Sequence, residues 1–167
     1  MNKYYKKYIL LLLVFVLLQV LVLNSILFFT YINPYLYLIL IISLPSKTPK
    51  WFLLTYAFTL GFLIDLFAGT LGFHSTATVF TAFIKPSISK IIIPHNILGD
   101  SDEITLNKIG VKSFITLSLI IILVHNNLLF LLEHLNINLQ ILAKIIASSL
   151  ITLMLILILE LFKSSKK

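Results

Sequence analysis

The chain has 167 residues, 59% of them hydrophobic and only 11% charged, with a mean hydropathy of +1.06. An ordinary soluble domain is about 45–50% apolar and about 25% charged, and a folded chain this short leaves about a third of its surface wet. That balance excludes a soluble monomer. The formal charge of +7 comes from thirteen lysines and no arginine. Lysines set as punctuation between apolar runs mark membrane topology, whereas a nucleic-acid face clusters its charge and relies on arginine forks. No nucleic-acid partner is expected. The absence of cysteine removes disulfides, thiolate metal sites and cysteine nucleophiles.

A membrane helix needs about 20 apolar residues in succession. Six runs qualify as candidates, at 9–29, 35–44, 51–67, 71–84 (or to 93), 113–132 and 139–162. The first follows a basic start, but no small-x-small cleavage site succeeds it, so a retained helix is expected rather than a signal peptide. The second, entered through Asn33-Pro34 and closed by Pro45, is too short to cross a flat bilayer alone and reads as a tilted, extended or re-entrant element. The third opens after Pro49 and carries Asp65. The fourth meets Lys85-Pro86, which either ends the helix or kinks it; continuation to 93 requires Lys85 and Lys90 to snorkel toward headgroups. The expected fold is an all-α integral membrane protein of six transmembrane helices, the second short, in one domain.

With the N-terminus inside, the inner segments 1–8, 45–50, 85–112 and 163–167 hold twelve of the thirteen lysines, and the outer connections 30–34, 68–70 and 133–138 hold none. Both termini are therefore expected to be cytoplasmic. Only the linker at about 94–112 is long enough to present a surface. Its Gly99-Asp100-Ser101-Asp102-Glu103 lacks the closing glutamate of a calcium loop and reads as a solvated turn, as do His95 and His134.

Intramembrane polar groups are costly and face a partner or a cavity. Ala57, Gly61, Asp65 and Gly69 recur every fourth residue, a small-residue stripe carrying one acid. Gln140, Lys144, Ser148 and Thr152 do the same on the sixth run. Lys144 is the one lysine that topology leaves over, and its depth matches that of Asp65, so an Asp65–Lys144 pair is expected; the alternative is that Lys144 snorkels to the outer headgroups and Asp65 caps a turn. The outer half also collects Asn24, Ser25, His74, His125, Asn126 and Asn127. A helix-binding hydrogen-bond network, an outward-opening ligand pocket and a proton or ion path all remain open for this cluster. No catalytic constellation, phosphate loop, cofactor motif or metal set is evident, and no enzymatic activity is expected.

The stretch from Asn33-Pro34-Tyr35-Leu36-Tyr37 through Leu44-Pro45 and Pro49-Lys50-Trp51 to Gly61, Asp65, Gly69, Gly72 and His74 resembles the rod shape-determining MreD family. The likeness covers 32–86 and ends in Lys85-Pro86, where that family commonly has Arg before the Pro. It implies a non-enzymatic inner-membrane subunit of the bacterial cell-elongation, peptidoglycan-building machinery. Its implied partners are MreC and, through MreC, MreB filaments and RodA with its transpeptidase. The family's helix arrangement is similar to that of the S-components of energy-coupling-factor transporters, which implies an alternative role as a vitamin-binding membrane protein. Packing against a partner's span is expected to use the Gly61 stripe or Thr76, Thr78 and Thr81. The oligomeric state is left open.

Overall fold

Apolar runs with no water to satisfy their backbone must close their own hydrogen bonds, and here they do so as helices. The computed structural model describes residues 3–24, 32–70, 72–94, 97–99, 101–134 and 138–164. They form α1 (Lys3–Leu18), α2 (Leu38–Ser43), α3 (Lys50–Ala68), α4 (Phe73–Ile92), α5 (Leu106–Ile109), α6 (Val111–His134) and α7 (Leu139–Ser164), with no strand among the described residues. α1 continues as a π-helical turn, Gln19–Leu23. Three segments are long and apolar enough to cross a membrane: Lys50–Ala68, Val111–His134 and Leu139–Lys163. The expected end of the first run, 25–29, lies outside the described residues, as do Ser25, Leu71, His95 and Asp100.

α3, α4, α6 and α7 succeed one another as neighbours, α1 lies against α3, and α2 sits among α1, α4 and α6. The second run is therefore the centre of the bundle. Tyr37, Leu38, Ile41, Ile42 and Leu44 are completely buried, and α2 itself is only about 9 Å long at 1.5 Å per residue. The chain enters it through the non-helical residues 32–35, a backbone form tolerated at such depth only inside protein. Bulky apolar side chains instead cover the outside, among them Leu10, Leu21, Phe62, Phe83, Leu150 and Met154.

α4 continues through Pro86 to Ile92. Proline forfeits one backbone bond, to the carbonyl four residues earlier, in a helix that packs along its length on α3 and α6. Lys85 does not snorkel. It is buried, and its ammonium donates to the carbonyl oxygen of Leu44, just past the C-terminal end of α2. The cation thus serves the unpaired carbonyls of a helix end instead of reaching the headgroups. Lys90 is exposed.

The linker is not a free turn. Ile104 is fully buried and its N–H donates to Ser43 O at 3.1 Å. Glu103 accepts from Lys7 Nζ at 2.5 Å, Tyr8 Oη at 3.0 Å and Lys163 Nζ at 3.5 Å. Burial works to raise the Glu103 pKa, but the bonds and charges of Lys7 and Lys163 win and hold it below the ordinary glutamate value. Glu160, buried on α7, accepts from Leu106 N at 3.1 Å and so caps α5. The linker thereby straps α1, α2 and α7 together at one end.

The small-residue stripe is used within the chain. A Cβ on Gly61 would lie 2.4 Å from Thr78 Oγ1, 2.6 Å from Ser75 Cα and 2.7 Å from His74 O, so α3 and α4 touch backbone to backbone there. Thr78 and Thr81 are likewise buried, and only Thr76 faces outward. The expectation that these residues meet a partner's span is corrected for Gly61, Thr78 and Thr81. Gly61→Ala should lower the melting temperature of the detergent-solubilised protein, at a cost of about 1–3 kcal/mol for overpacking. Adding Thr78→Ala should not restore it, because the two backbone obstacles remain; full recovery in that double variant would contradict the close approach.

Candidate functional site

The polar residues gather at the end of the bundle where α3 passes into α4, and Asp65 organises them. Its Oδ1 accepts from the Thr70 hydroxyl at 2.5 Å and the His74 N–H at 3.0 Å; its Oδ2 accepts from the Ser75 N–H at 2.8 Å and the Ser75 hydroxyl at 2.5 Å. His74 and Ser75 are in the first turn of α4, whose N–H groups have no intrahelical acceptor. The carboxylate therefore caps α4 from the preceding helix, where a negative charge meets the positive end of the helix dipole. Gly69 (φ 68°) closes α3 and Gly72 (φ 87°) opens α4, both in the left-handed region. Gly61, Asp65, Gly69 and Gly72 are one device, a tight helical hairpin.

The Asp65–Lys144 pair is not formed. α4 and α6 lie between α3 and α7, and the carboxylate oxygens are taken by the hairpin's own donors. Lys144 instead lines an open cavity of about 670 Å³ with Ile32, His134, Asn138 and Gln140, near enough to Glu133 for their charges to interact. Asp65 follows the capping alternative instead, because a helix N-terminus can neutralise an acid without a cation.

His74 and His125, far apart in sequence, are joined by a residue between them. Tyr37 Oη lies 3.0 Å from His74 Nδ1 and 3.0 Å from His125 Nε2. His125 Nδ1 is 3.1 Å from Asn126 Oδ1, and Asn126 Nδ2 donates to Ser149 Oγ at 2.9 Å. With Asn126 in that orientation, His125 carries its proton on Nδ1 and accepts the Tyr37 hydroxyl at Nε2. Tyr37 Oη is then free to accept from His74 Nδ1–H. The chain of bonds points one way, crossing the bundle from α4 to α7. Tyr35 packs beside it, its ring centroid 5.8 Å from His74, 5.6 Å from His125 and 6.4 Å from Phe130.

The entry segment is satisfied by the same helices. Asn33 N donates to Ser148 Oγ at 3.3 Å and Tyr35 N to Thr152 Oγ1 at 3.0 Å. Gln19 Nε2, at the π-helical turn, donates to Pro34 O and to Asn24 Oδ1, each at 2.9 Å. Ser148 and Thr152, expected as part of a polar stripe, thus hold backbone. Asn24 accepts from Gln19, not from the histidines. Pro34 is buried within the entry, Pro45 follows α2, and Pro49 stands at the N-cap of α3. Sequence reasoning missed Gln19, Tyr37, Ser149, Glu103 and Glu160. For Tyr37 a signal existed in the Asn33-to-Tyr37 run; for Gln19, Ser149 and Glu160 a polar residue on an otherwise apolar helix was the available cue, and Glu103, in the linker, offered none.

No family model, curated protein or solved structure matches the chain.

Asp65→Asn should destabilise the protein by about 1.5–3 kcal/mol for each charged hydrogen bond lost. Lys144→Met should act independently, so the double variant should show the sum of the two single effects. Rescue of Asp65→Asn by Lys144→Met, read in the melting temperature and membrane abundance, would restore the direct pair.

Proposed function

We propose that the chain is a six-pass protein of the bacterial cytoplasmic membrane and a non-enzymatic scaffold subunit of the cell-elongation machinery. In this reading it binds MreC and so links MreB with RodA and its transpeptidase. The observation that carries the proposal is the job each resemblance-bearing residue has. Gly61, Asp65, Gly69, Gly72 and His74 make the α3–α4 hairpin, Tyr37 bridges its His74 to α6, and Lys85 holds the end of α2. Within residues 32–86 the α3–α4 hairpin closes on itself and Lys85 returns to the end of α2, while Tyr35 and Tyr37 tie the stretch to α7 and α6. The cross-bundle direction of the polar chain supports helix binding as its role, over an ion path running along the membrane normal. Bonding of that chain to its own neighbours favours a scaffold over a vitamin binder. The S-component alternative draws its support from the separate cavity beside Lys144, whose size is in the usual range for small ligands.

Six passes arise if α1 with its π-helical turn, the 33–44 segment, α3, α4, α6 and α7 each traverse the bilayer, with the lysine-bearing ends inside. Topology reporters at the N-terminus, near Asp102 and after Lys167 should then read cytoplasmic, and one at Asn136 outside; Asn136 and the last three residues lie outside the described set. A periplasmic reading at Asp102 would remove α4 as a pass. Gentle detergent extraction followed by affinity capture should retrieve a single-span protein with a periplasmic domain, and depletion should round the cells. Capture of an ATPase module, or restoration of growth by an added vitamin, would select the S-component reading.

A further inference from the structure

On the outside of the bundle, a groove of about 360 Å³ runs between the first turns of α3 and the last turns of α4. Leu53 and Ala82 are buried in its floor, Phe83 and Pro86 form an apolar wall, and none of its lining residues is acidic. Lys50 and Lys90 border it, both exposed and neither with an acidic partner among the described residues. Two cations beside one groove repel each other unless an anion stands between them. α3 also begins here at Pro49 with no side-chain cap, leaving the positive end of its dipole open toward the same rim. Trp51, 67% exposed, follows Lys50 in the first turn of α3, and tryptophan is a residue type enriched at membrane interfaces.

We propose that this groove is a binding site for one anionic phospholipid. The headgroup phosphate lies between Lys50 and Lys90, and an acyl chain lies along Leu54, Phe83 and Pro86. The space suits a hydrocarbon chain rather than a partner helix, which is about 10–12 Å across with its side chains. A zwitterionic lipid offers its phosphate together with a compensating ammonium, so the two lysines discriminate by net charge. Basic pockets between membrane helices recognise anionic headgroups in this way. The inference rests on the reading of the chain as a membrane protein and is independent of the scaffold role.

The test uses the purified full chain, stripped of lipid in detergent and titrated with phosphatidylglycerol or phosphatidylcholine, with bound lipid counted by native mass spectrometry. One phosphatidylglycerol should be retained in preference to phosphatidylcholine. The Lys50→Ala/Lys90→Ala variant should lose about tenfold to thirtyfold in affinity, at roughly 1 kcal/mol per lysine. Leu54→Trp, which fills the groove but leaves both lysines, should lose retention as well, and Lys112→Ala, at the same end but off the groove, should keep it. Unchanged binding in the double lysine variant, equal loss in Lys112→Ala, or equal retention of the two lipids would each overturn the site. Inorganic phosphate displacing the lipid from a fully retained Leu54→Trp protein would assign the lysines to free anions and also overturn it. Co-purification and cell shape read the scaffold role separately, so either proposal can fail alone.

Discussion

A carboxylate in a low-dielectric site must be matched by donors, and the way Asp65 is matched sets the geometry of half the molecule. Its four bonds come from Thr70, His74 and Ser75, all within ten residues along the chain. The first turn of α4 is thereby fixed to the last turn of α3. That anchor brings the two helices close enough for Gly61 to touch the backbone of Ser75, and there Thr78 Oγ1 can reach Ala57 O at 2.9 Å across the interface. Loss of the acid would leave the first-turn N–H groups of His74 and Ser75 without their side-chain acceptor. The charge is thus structural before it is anything else.

The second constraint is the extended entry to α2. A stretch of non-helical backbone in a bundle of this composition exposes peptide groups that lipid cannot satisfy. Ser148, Thr152 and Gln19 each spend a side chain on it, and Tyr37 at its end is tied to both histidines. These bonds couple the hairpin to α6 and α7, so the Asp65 cap and the Ser149 contact sit at the two ends of one connected set. The set is not fully bonded, since Gln19 Oε1 and Asn33 Oδ1 are buried with no partner among the described residues, and a partly satisfied network specifies packing less strictly than a complete one.

Much of this was legible in the sequence, and the failures have a common cause. The long runs at 51–67, 113–132 and 139–162 fall within α3, α6 and α7, because apolar length alone decides such helices. The irregularity of the second run was readable from Asn33-Pro34 and Pro45, which forbid a continuous helix. What failed was the assignment of partners. Asp65 and Lys144 were matched as side-chain charges, whereas each end of a helix carries its own partial charge, and those ends took Asp65 and Lys85 instead. The Gly61 stripe was correctly read as a close-packing face, but one sequence does not say which helix it meets. Glu103 looked solvated because its partners, Lys7 and Lys163, lie 96 and 60 residues away.

Use of the small residues inside the chain constrains how any partner is bound. With Gly61 and Thr78 committed to α4, glycine-mediated close approach is no longer available to a partner on this side of α3. The faces that remain are bulky. Phe58 and Phe62 stack on the outside of α3 with ring centroids 5.7 Å apart, and Leu66 continues the same ridge one turn on, all substantially exposed. A span docking there must supply the small residues itself, since two ridges of large side chains hold helices apart and forfeit dispersion contacts. Recognition of a partner at this ridge would therefore divide the labour, with the aromatic knobs on this chain and the holes on the other.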